Sequence, residues 1–310
     1  DWQFSYDQKS WTKVNLPHDY QIGQPWIAPA ADEKADMNNE AANIKSLLSA
    51  RAFKQLGKGY YKKTFTPDNA WKNSRVVIDF EGMLLVGDAY LNGKHIGKTD
   101  YGYLGFDADL TPLMKWGEEN VLEVICDTQN PKSSRWYTGG GLFRDVHLLT
   151  TNKELFFPRH PLYILTTVKG NKATVDVQAE FSNLSRQKID SLTFFCSIKD
   201  AQGNTVAEKV CRKKYYGRQR TNEYKLDGIE ISNPVLWDLD NPHLYTLEVS
   251  VLDNEGNAYD KVSDEFGVRT IEYGADFGFK LNGKKVLLQG YANHHTLGAL
   301  GAAAYDRAVE

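Results

Sequence analysis

Two adjacent histidines near the end of the chain are the residues best suited to chemistry. His294 and His295 follow Asn293, shortly after the apolar run KVLLQG at 285–290. A neutral imidazole or an amide can donate to a hydroxyl group or stabilise charge that develops in a transition state. Side chains next to each other on a strand face opposite ways, so only one histidine should reach a ligand. The alternative for either histidine is packing against a neighbouring sandwich. Metal binding is the weaker interpretation, because the two side chains diverge and no third ligand follows nearby.

A second candidate is the sequence SRWYTGGGLFRDV at 134–146, called the glycine loop below. Its three consecutive glycines at 139–141 permit backbone conformations that are closed to other residues, so the loop can fold tightly against another surface. Arg135 offers fixed hydrogen-bond donors for hydroxyl groups, and Trp136 or Tyr137 offers an aromatic face. A purely structural loop is the alternative, and the sequence leaves both interpretations open.

The acidic residues suggest no catalytic pair. Asp19, Asp88 and Asp107 are predicted to be turn and surface groups. Arg144 and Asp145 are predicted to form a structural ion pair near a sandwich edge.

Composition indicates a globular protein of about two domains. The chain has 310 residues, of which 41% are hydrophobic and 25% charged. A formal charge of -3 is too close to neutral to favour nucleic acid or an anionic membrane surface as a partner. Aromatic residues at 12% fit both β-structure and sugar binding. The three cysteines are predicted to be core thiols, although one bond between Cys196 and Cys211 stays open.

The sequence suggests no membrane span and no signal peptide. No run approaches the ~20 apolar residues that a spanning helix needs, and the start DWQFSYDQKSW is typical of a mid-protein fragment or a mature end. If a signal has been removed, we expect a periplasmic or secreted bacterial protein; otherwise we expect a cytoplasmic one.

Strand patterns dominate the first half of the chain. Residues 11–20 are predicted to be an edge strand or lead-in, and residues 27–58 an inserted excursion with a short helix. Short alternating runs then follow one another from Gly59, and Asn92-Gly93 is a strong hairpin signal. This spacing predicts an antiparallel sandwich or jelly roll that ends near Asn152.

The second half predicts another sandwich and then a different fold. A short linker is expected between Thr151 and Pro161, followed by about seven strands over about a hundred residues, the count of an immunoglobulin-like sandwich. The continuous apolar run KVLLQG predicts a strand buried on both faces, as in a parallel barrel. A whole (β/α)8 barrel needs roughly 200 residues or more, so residues 274–310 can supply only its first strand and a following loop.

An ordered series of motifs then carries a resemblance over nearly the whole chain. The motifs are WTKVNLPHDY (11–20), YYKKTF (60–65), YLNGKHIG (90–97), FDADLTPLMKWGEENVLEV (106–124), SRWYTGGGLFRDVHL (134–148), LWDLDNPHLYTLEV (236–249), FGVRTIEY (266–273) and FKLNGKKVLLQGYANHHTLGALGAA (279–303). Together they resemble the modular glycoside hydrolases of family 2, which include β-galactosidases, β-glucuronidases and β-mannosidases.

The resemblance implies three domains: a jelly-roll, sugar-binding-like domain at 1–153, an immunoglobulin-like sandwich at 154–273, and the truncated start of a catalytic barrel at 274–310. It also implies that both catalytic glutamates lie beyond Glu310, so no catalytic residue is expected in this chain. Substrate contacts are expected from a set drawn from the two candidates above, namely His294, Asn293, His295, Arg135, Trp136 and Tyr137.

The ending HHTLGALGAA resembles the β-galactosidase type most, although Thr296 stands where an acidic residue is expected. The predicted function is therefore that of the amino-terminal, non-catalytic domains of a retaining exo-acting β-galactosidase that cleaves terminal β-galactosides. A β-glucuronidase, another family-2 glycosidase and a stand-alone carbohydrate-binding module are the alternatives. No cofactor is required, a metal in the parent enzyme is left open, and the expected partners are a carbohydrate substrate and further copies of the chain.

Overall fold

The computed structural model describes residues 1–27, 53–129, 137–185, 189–215 and 220–310. They form two compact units, the first made of Asp1–Thr150 with Ala292–Glu310 and the second of Thr151–Tyr291. Both units are built from β-strands, which confirms the predicted fold class. Helical structure among the described residues is limited to short turns at Gln21–Gly23, Asn69–Asn73, Thr111–Leu113 and Asp306–Val309. In this part of the chain no helix has the length and apolar character needed to cross a membrane.

The first unit packs a six-stranded sheet against a three-stranded one. Its strands are β1 (Trp2–Ser5), β2 (Thr12–Val14), β3 (Lys58–Phe65), β4 (Ser74–Phe80), β5 (Val86–Leu91), β6 (Lys94–Thr99), β7 (Phe106–Asp109), β8 (Asn120–Asp127) and β9 (Val146–Asn152). The strand orders are β2-β1-β3-β8-β5-β6 and β7-β4-β9. One core takes side chains from both sheets, among them Phe4, Tyr61, Ile78, Phe80, Leu91 and Val124. The predicted strands from Gly59 onward are confirmed, and β2 lies at a sheet edge as predicted.

The hairpin predicted at Asn92-Gly93 joins β5 to β6. Both residues have positive φ, 50° for Asn92 and 73° for Gly93, which matches the twist of the flanking strands. Leu91 pairs with Lys94 across the turn. The local sequence therefore determines this turn.

The second unit contains two larger sheets over one core. Its strands are β10 (Leu155–Phe156), β11 (Leu162–Lys169), β12 (Lys172–Asn183), β13 (Ser191–Lys199), β14 (Thr205–Lys214), β15 (Thr221–Ser232), β16 (Tyr245–Leu252), β17 (Ala258–Phe266), β18 (Ile271–Gly274), β19 (Gly278–Leu281) and β20 (Lys284–Lys285). The sheets are β10-β12-β11 with β15 on β12, then β14-β13-β16-β17, then β18-β19-β20. All seven predicted sandwich strands are present, and β16 alternates buried with partly exposed positions along its whole length.

Two stretches were not predicted correctly. Residues 151–161 do not behave as a linker, because Leu155, Phe156 and Phe157 are buried and β10 pairs with β12. The prolines and basic residues that follow favoured the prediction of a linker, although the apolar run Leu155–Phe157 indicates burial. The alternating start Trp-Gln-Phe-Ser also forms a strand, β1, that the sequence reasoning overlooked.

The run KVLLQG is not a buried strand in this structure. Of this run only Lys285 lies in a strand, β20, and Leu287 and Leu288 are 79% and 68% exposed. A parallel strand needs neighbours at its edges and layers on both faces, and the described residues supply neither. The beginning of a barrel therefore stays a prediction, as do the three domain boundaries.

The three cysteines are free, buried thiols, as favoured from the sequence. Cys196 and Cys211 lie on the neighbouring strands β13 and β14 but are not bonded. Burial raises the pKa of Cys196 to about 12, so its thiol stays protonated at neutral pH. Most of the insertion predicted at 27–58, including its helix, lies outside the described residues.

Candidate functional site

The carboxylate of Asp19 joins three distant segments of the first unit. Its side chain is buried, with 3% exposed. Oδ1 accepts hydrogen bonds from the backbone N–H groups of Gln21 at 2.9 Å and Gly140 at 3.0 Å. Oδ2 accepts from the hydroxyl of Tyr137 at 2.7 Å and from the N–H of Ala302 at 2.8 Å. The glycine loop and the last part of the chain therefore meet on one side chain.

Asp19 was predicted to be a surface or turn group, and that prediction is wrong. An ionised carboxylate only accepts hydrogen bonds, and four donors match its two oxygens. Burying such a group costs free energy unless hydrogen bonds compensate. Two of its partners are 118 and 283 residues away in sequence, Tyr137 and Ala302, so no local pattern could reveal the arrangement.

The charge of Asp19 also affects nearby side chains. Burial, and then the negative charge of Asp19, raise the pKa of Tyr137, which keeps its hydroxyl a donor. Burial lowers the pKa of His18, and Asp19 partly opposes that effect. Nδ1 of His18 lies 2.9 Å from the hydroxyl oxygen of Tyr61. The hydroxyl of Tyr137 and the imidazole of His18 therefore both stay neutral near physiological pH.

Two glycines allow the backbone to approach this carboxylate closely. Gly139 and Gly301 have φ of 76° and 61°, in the left-handed region that disfavours side chains. A Cβ atom at either position would collide with Oδ2 of Asp19. The glycines of these two motifs therefore make room for Asp19.

Backbone hydrogen bonds fix the same segments to one another. The N–H of Tyr20 donates to the carbonyl of Gly140 at 2.9 Å, and that of His18 to Leu142 at 2.7 Å. The N–H of Ala304 donates to the carbonyl of Phe143 at 2.9 Å. The candidate loop is thus held on both sides by main-chain contacts.

The histidine pair divides into one exposed and one packed ring. Asn293 and His294 are exposed. His295 is half-buried, with its ring 5.4 Å from Tyr103 and 5.9 Å from Phe143, centroid to centroid. The segment is not a strand, so the different environments of the two rings do not come from strand alternation. Packing is thus the observed environment of His295.

Electrostatics keep His295 neutral. Burial lowers its pKa first, and the positive charge of Arg144 lowers it further, while Asp19 opposes the shift. A neutral imidazole can both donate and accept. The ring can therefore orient a polar group without adding charge.

The other predicted site residues have different positions. Tyr137 is partly buried and its hydroxyl is engaged by Asp19, whereas Arg135 and Trp136 lie outside the described residues. The prediction that Arg144 pairs with Asp145 is wrong, because these two residues form no ion pair in the described part of the chain. The guanidinium of Arg144 instead lies 5.1 Å from the ring centre of Phe143. Attraction to an aromatic face replaces the expected charge pair.

Asp145 instead lies near Glu81 and His147. Their donor atoms are all within 4.8 Å of one another, the only such group among the described residues that could hold a metal. Nε2 of His147 is 3.1 Å from Oε1 of Glu81. Both side chains are more than 40% exposed, and we assign no metal to this group.

A cleft of about 200 Å³ borders the Asp19 region. Hydrolysis by a retaining glycosidase needs two carboxylates about 5–5.5 Å apart. Asp19 is the only acid among the residues lining the cleft, and its oxygens already accept four hydrogen bonds. The arrangement can position loops and bind polar groups, but it lacks a carboxylate pair. The lining residues are Tyr6, Pro17, His18, Asp19, Tyr20, Ile22, Gly23, Ala299, Leu300, Ala303 and Tyr305.

Comparison with known proteins agrees with the predicted resemblance. The family model described as "Glycosyl hydrolases family 2, sugar binding domain" matches residues 1–152. The model described as "Glycosyl hydrolases family 2" matches residues 160–269. The chain is similar to beta-galactosidase BoGH2A of Bacteroides ovatus, with 32% identity over 326 aligned positions that cover 100% of this chain and 36% of that protein. It is also similar to a putative beta-glucuronidase of Formosa agariphila, with 32% identity over 86% of this chain and 32% of that protein.

A solved structure shows the same likeness. A glycosyl hydrolase family 2 member from Bacteroides cellulosilyticus superposes with a TM-score of 0.83 at 30% identity, over 99% of this chain and 39% of that one. The chain spans about a third of the length of the curated relatives it matches.

Proposed function

This chain belongs to glycosyl hydrolase family 2, and from that premise we propose that it forms the amino-terminal, non-catalytic domains of a retaining β-galactosidase. The observation that carries the proposal is the likeness to a Bacteroides ovatus beta-galactosidase along the whole of this chain. The parent enzyme would release terminal galactose from β-galactosides.

The division of labour within that enzyme is part of the proposal. The two catalytic glutamates would come from residues outside this chain, which spans about a third of the relatives. The single acid of the cleft, Asp19, supports this view, because one carboxylate that already accepts four hydrogen bonds cannot perform the two-carboxylate reaction. The 310-residue chain alone is therefore expected to be inactive.

The role proposed for the candidate residues is to wall the sugar site. His294 with Asn293 would contact the sugar, and both side chains are exposed. Tyr137, with Arg135 and Trp136, would contribute from the glycine loop. The hydrogen bonds of Asp19 to Tyr137 and Ala302 support this role, because they hold the loop next to the segment that follows the histidines.

A β-glucuronidase is the second candidate, because relatives of similar identity carry that name. The full-length gene product, assayed on nitrophenyl galactoside, glucuronide and mannoside, separates the two. We expect the highest kcat/KM on the galactoside. A preference for the glucuronide would refute galactosides as the substrate but would leave the assignment to family 2 unchanged.

The same assay on the 310-residue chain tests the division of labour. Turnover of any of these substrates by the purified chain, above that of a mock purification, would refute the claim that catalysis needs further residues. A His294→Ala variant of the full-length product should lose activity, whereas the half-exposed His147→Ala serves as the matched control. Equal activity of both variants would remove His294 from the proposed site.

A further inference from the structure

The outer face of the six-stranded sheet carries an aromatic groove. The groove has a volume of about 260 Å³. Trp11, Tyr60 and Tyr90 line it, together with Gln8 and Glu123. All three aromatic side chains are partly exposed, although the opposite face of the same sheet already covers a core. These rings therefore serve no role in the interior of the unit.

Strand register places the lining residues in order. Glu123, on the central strand β8, pairs with Lys62 of β3 on one side and with Tyr90 of β5 on the other. In the next outward-facing row Tyr60 pairs with Ile125. On its other side Ile125 pairs with Asp88 of β5, so both rows combine aromatic or apolar side chains with charged ones.

Glu123, which lines the groove, is paired with Lys62, which lies beside it. Nζ of Lys62 lies 3.3 Å from a carboxylate oxygen of Glu123 and 5.0 Å from the ring centre of Trp11. The indole N–H of Trp11 donates to the carbonyl of Gln8 at 3.2 Å. The indole is therefore fixed at one end of the groove, and the two opposite charges compensate each other.

This combination suits one ligand chemistry. A pyranose ring has a face of C–H groups that packs on aromatic rings and an edge of hydroxyls that needs donors and acceptors. Trp11 and Tyr90 supply the rings and Glu123 an acceptor, and Lys62, beside the groove, supplies a donor. Because the two charges cancel, the groove favours neutral sugars over acidic ones.

We propose that the groove lined by Trp11, Tyr60, Tyr90 and Glu123 binds a neutral glycan through its pyranose rings. This goes beyond the proposed function, since it concerns binding by this chain alone. The glycan would be held on the surface of the sheet. Hydrolysis by the parent enzyme is not required for it.

The test uses the 310-residue chain in native gels that contain β-1,4-galactan, xylan or a mixed-linkage β-glucan. We expect at least one of these neutral polysaccharides to retard the chain. Trp11→Ala and Tyr90→Ala should each weaken binding about tenfold, equivalent to ~1.4 kcal/mol. Tyr163→Ala, at an exposed position on β11, is the control and should behave like the unmodified chain.

Two further measurements keep the test decisive. Circular dichroism checks that each variant is folded. If an aromatic variant does not fold, Glu123→Gln, which retains the shape of the side chain, is tested in its place. Absence of retardation in all three gels, or retardation that survives the Trp11→Ala/Tyr90→Ala double substitution, would overturn the proposal. Binding without galactoside hydrolysis by the full-length product would uphold this inference and remove the β-galactosidase proposal.

Discussion

Substitution of Asp19 by asparagine should strongly destabilise the first unit. Asparagine has the shape of aspartate but presents an NH2 group in place of one oxygen. At the Oδ1 position this group would face the N–H groups of Gln21 and Gly140, which cannot accept. At the Oδ2 position it would face Tyr137, whose hydroxyl can rotate to accept, and Ala302, whose N–H cannot. The second orientation is therefore favoured.

The cost follows from that orientation. One buried N–H, that of Ala302, loses its partner, which costs about 1–3 kcal/mol. The remaining bonds change from charge-assisted to neutral and weaken by roughly half. We expect the free energy of unfolding to fall by about 3 kcal/mol for Asp19→Asn. Asp19→Ala leaves four donors unpaired and should cost more.

Urea denaturation measures the total loss, and native-state hydrogen exchange locates it. Exchange at the amides of Gly140 and Ala302 should accelerate more than exchange in β12, which belongs to the second unit. A double-mutant cycle with Tyr137→Phe should show coupling between the two side chains, because they share a hydrogen bond.

The control is Asp107→Asn, at an exposed position on β7. It should change stability by less than about 0.5 kcal/mol. If Asp19→Asn were equally mild, or if the amides of Gly140 and Ala302 exchanged at unchanged rates, the central role given to this carboxylate would be refuted.

Three further outcomes can be checked. Gly93→Ala should lower the free energy of unfolding, measured in urea, by about 1–2 kcal/mol, because the new Cβ would meet no atom and only the positive φ is strained. Gly139→Ala should lower it more, because its Cβ would also collide with Asp19. Equal losses for the two variants would contradict this. The folded pKa of His18 lies below its usual value, so the unfolded chain binds the proton first and stability should fall as the pH drops through about 6.5; His18→Asn should reduce that slope, and an unchanged slope would argue against it. The three thiols should resist Ellman's reagent in the native chain and all react in guanidinium, whereas rapid reaction under native conditions would contradict their burial.

The strands and hairpins could be predicted because their signals are local. Alternating side chains predict β8 and β16, and two residues suffice for the turn at Asn92-Gly93. The run KVLLQG misled for a related reason. Its apolar character indicates burial, but burial depends on neighbours that the described residues do not supply.

The candidate site was predictable only in part. The histidines and the glycine loop stand out by residue type, and Tyr137 was identified with them. Asp19 was overlooked because a lone aspartate after a histidine has many ordinary interpretations. Its meaning arises from donors that the folded chain brings to it from 118 to 283 positions away.

The long span between Asp19 and Ala302 has a consequence for synthesis of the protein. Three of the four donors, up to Gly140, are made early, but the fourth follows only after the whole of Thr151–Tyr291 has been translated. At roughly 5–20 residues per second, that delay is on the order of ten to thirty seconds. During it, all the strands described for the first unit have been translated, but the carboxylate of Asp19 lacks one of its four donors. A nascent chain stalled before residue 302 should therefore be more sensitive to protease around Asp19 than one stalled after it has emerged.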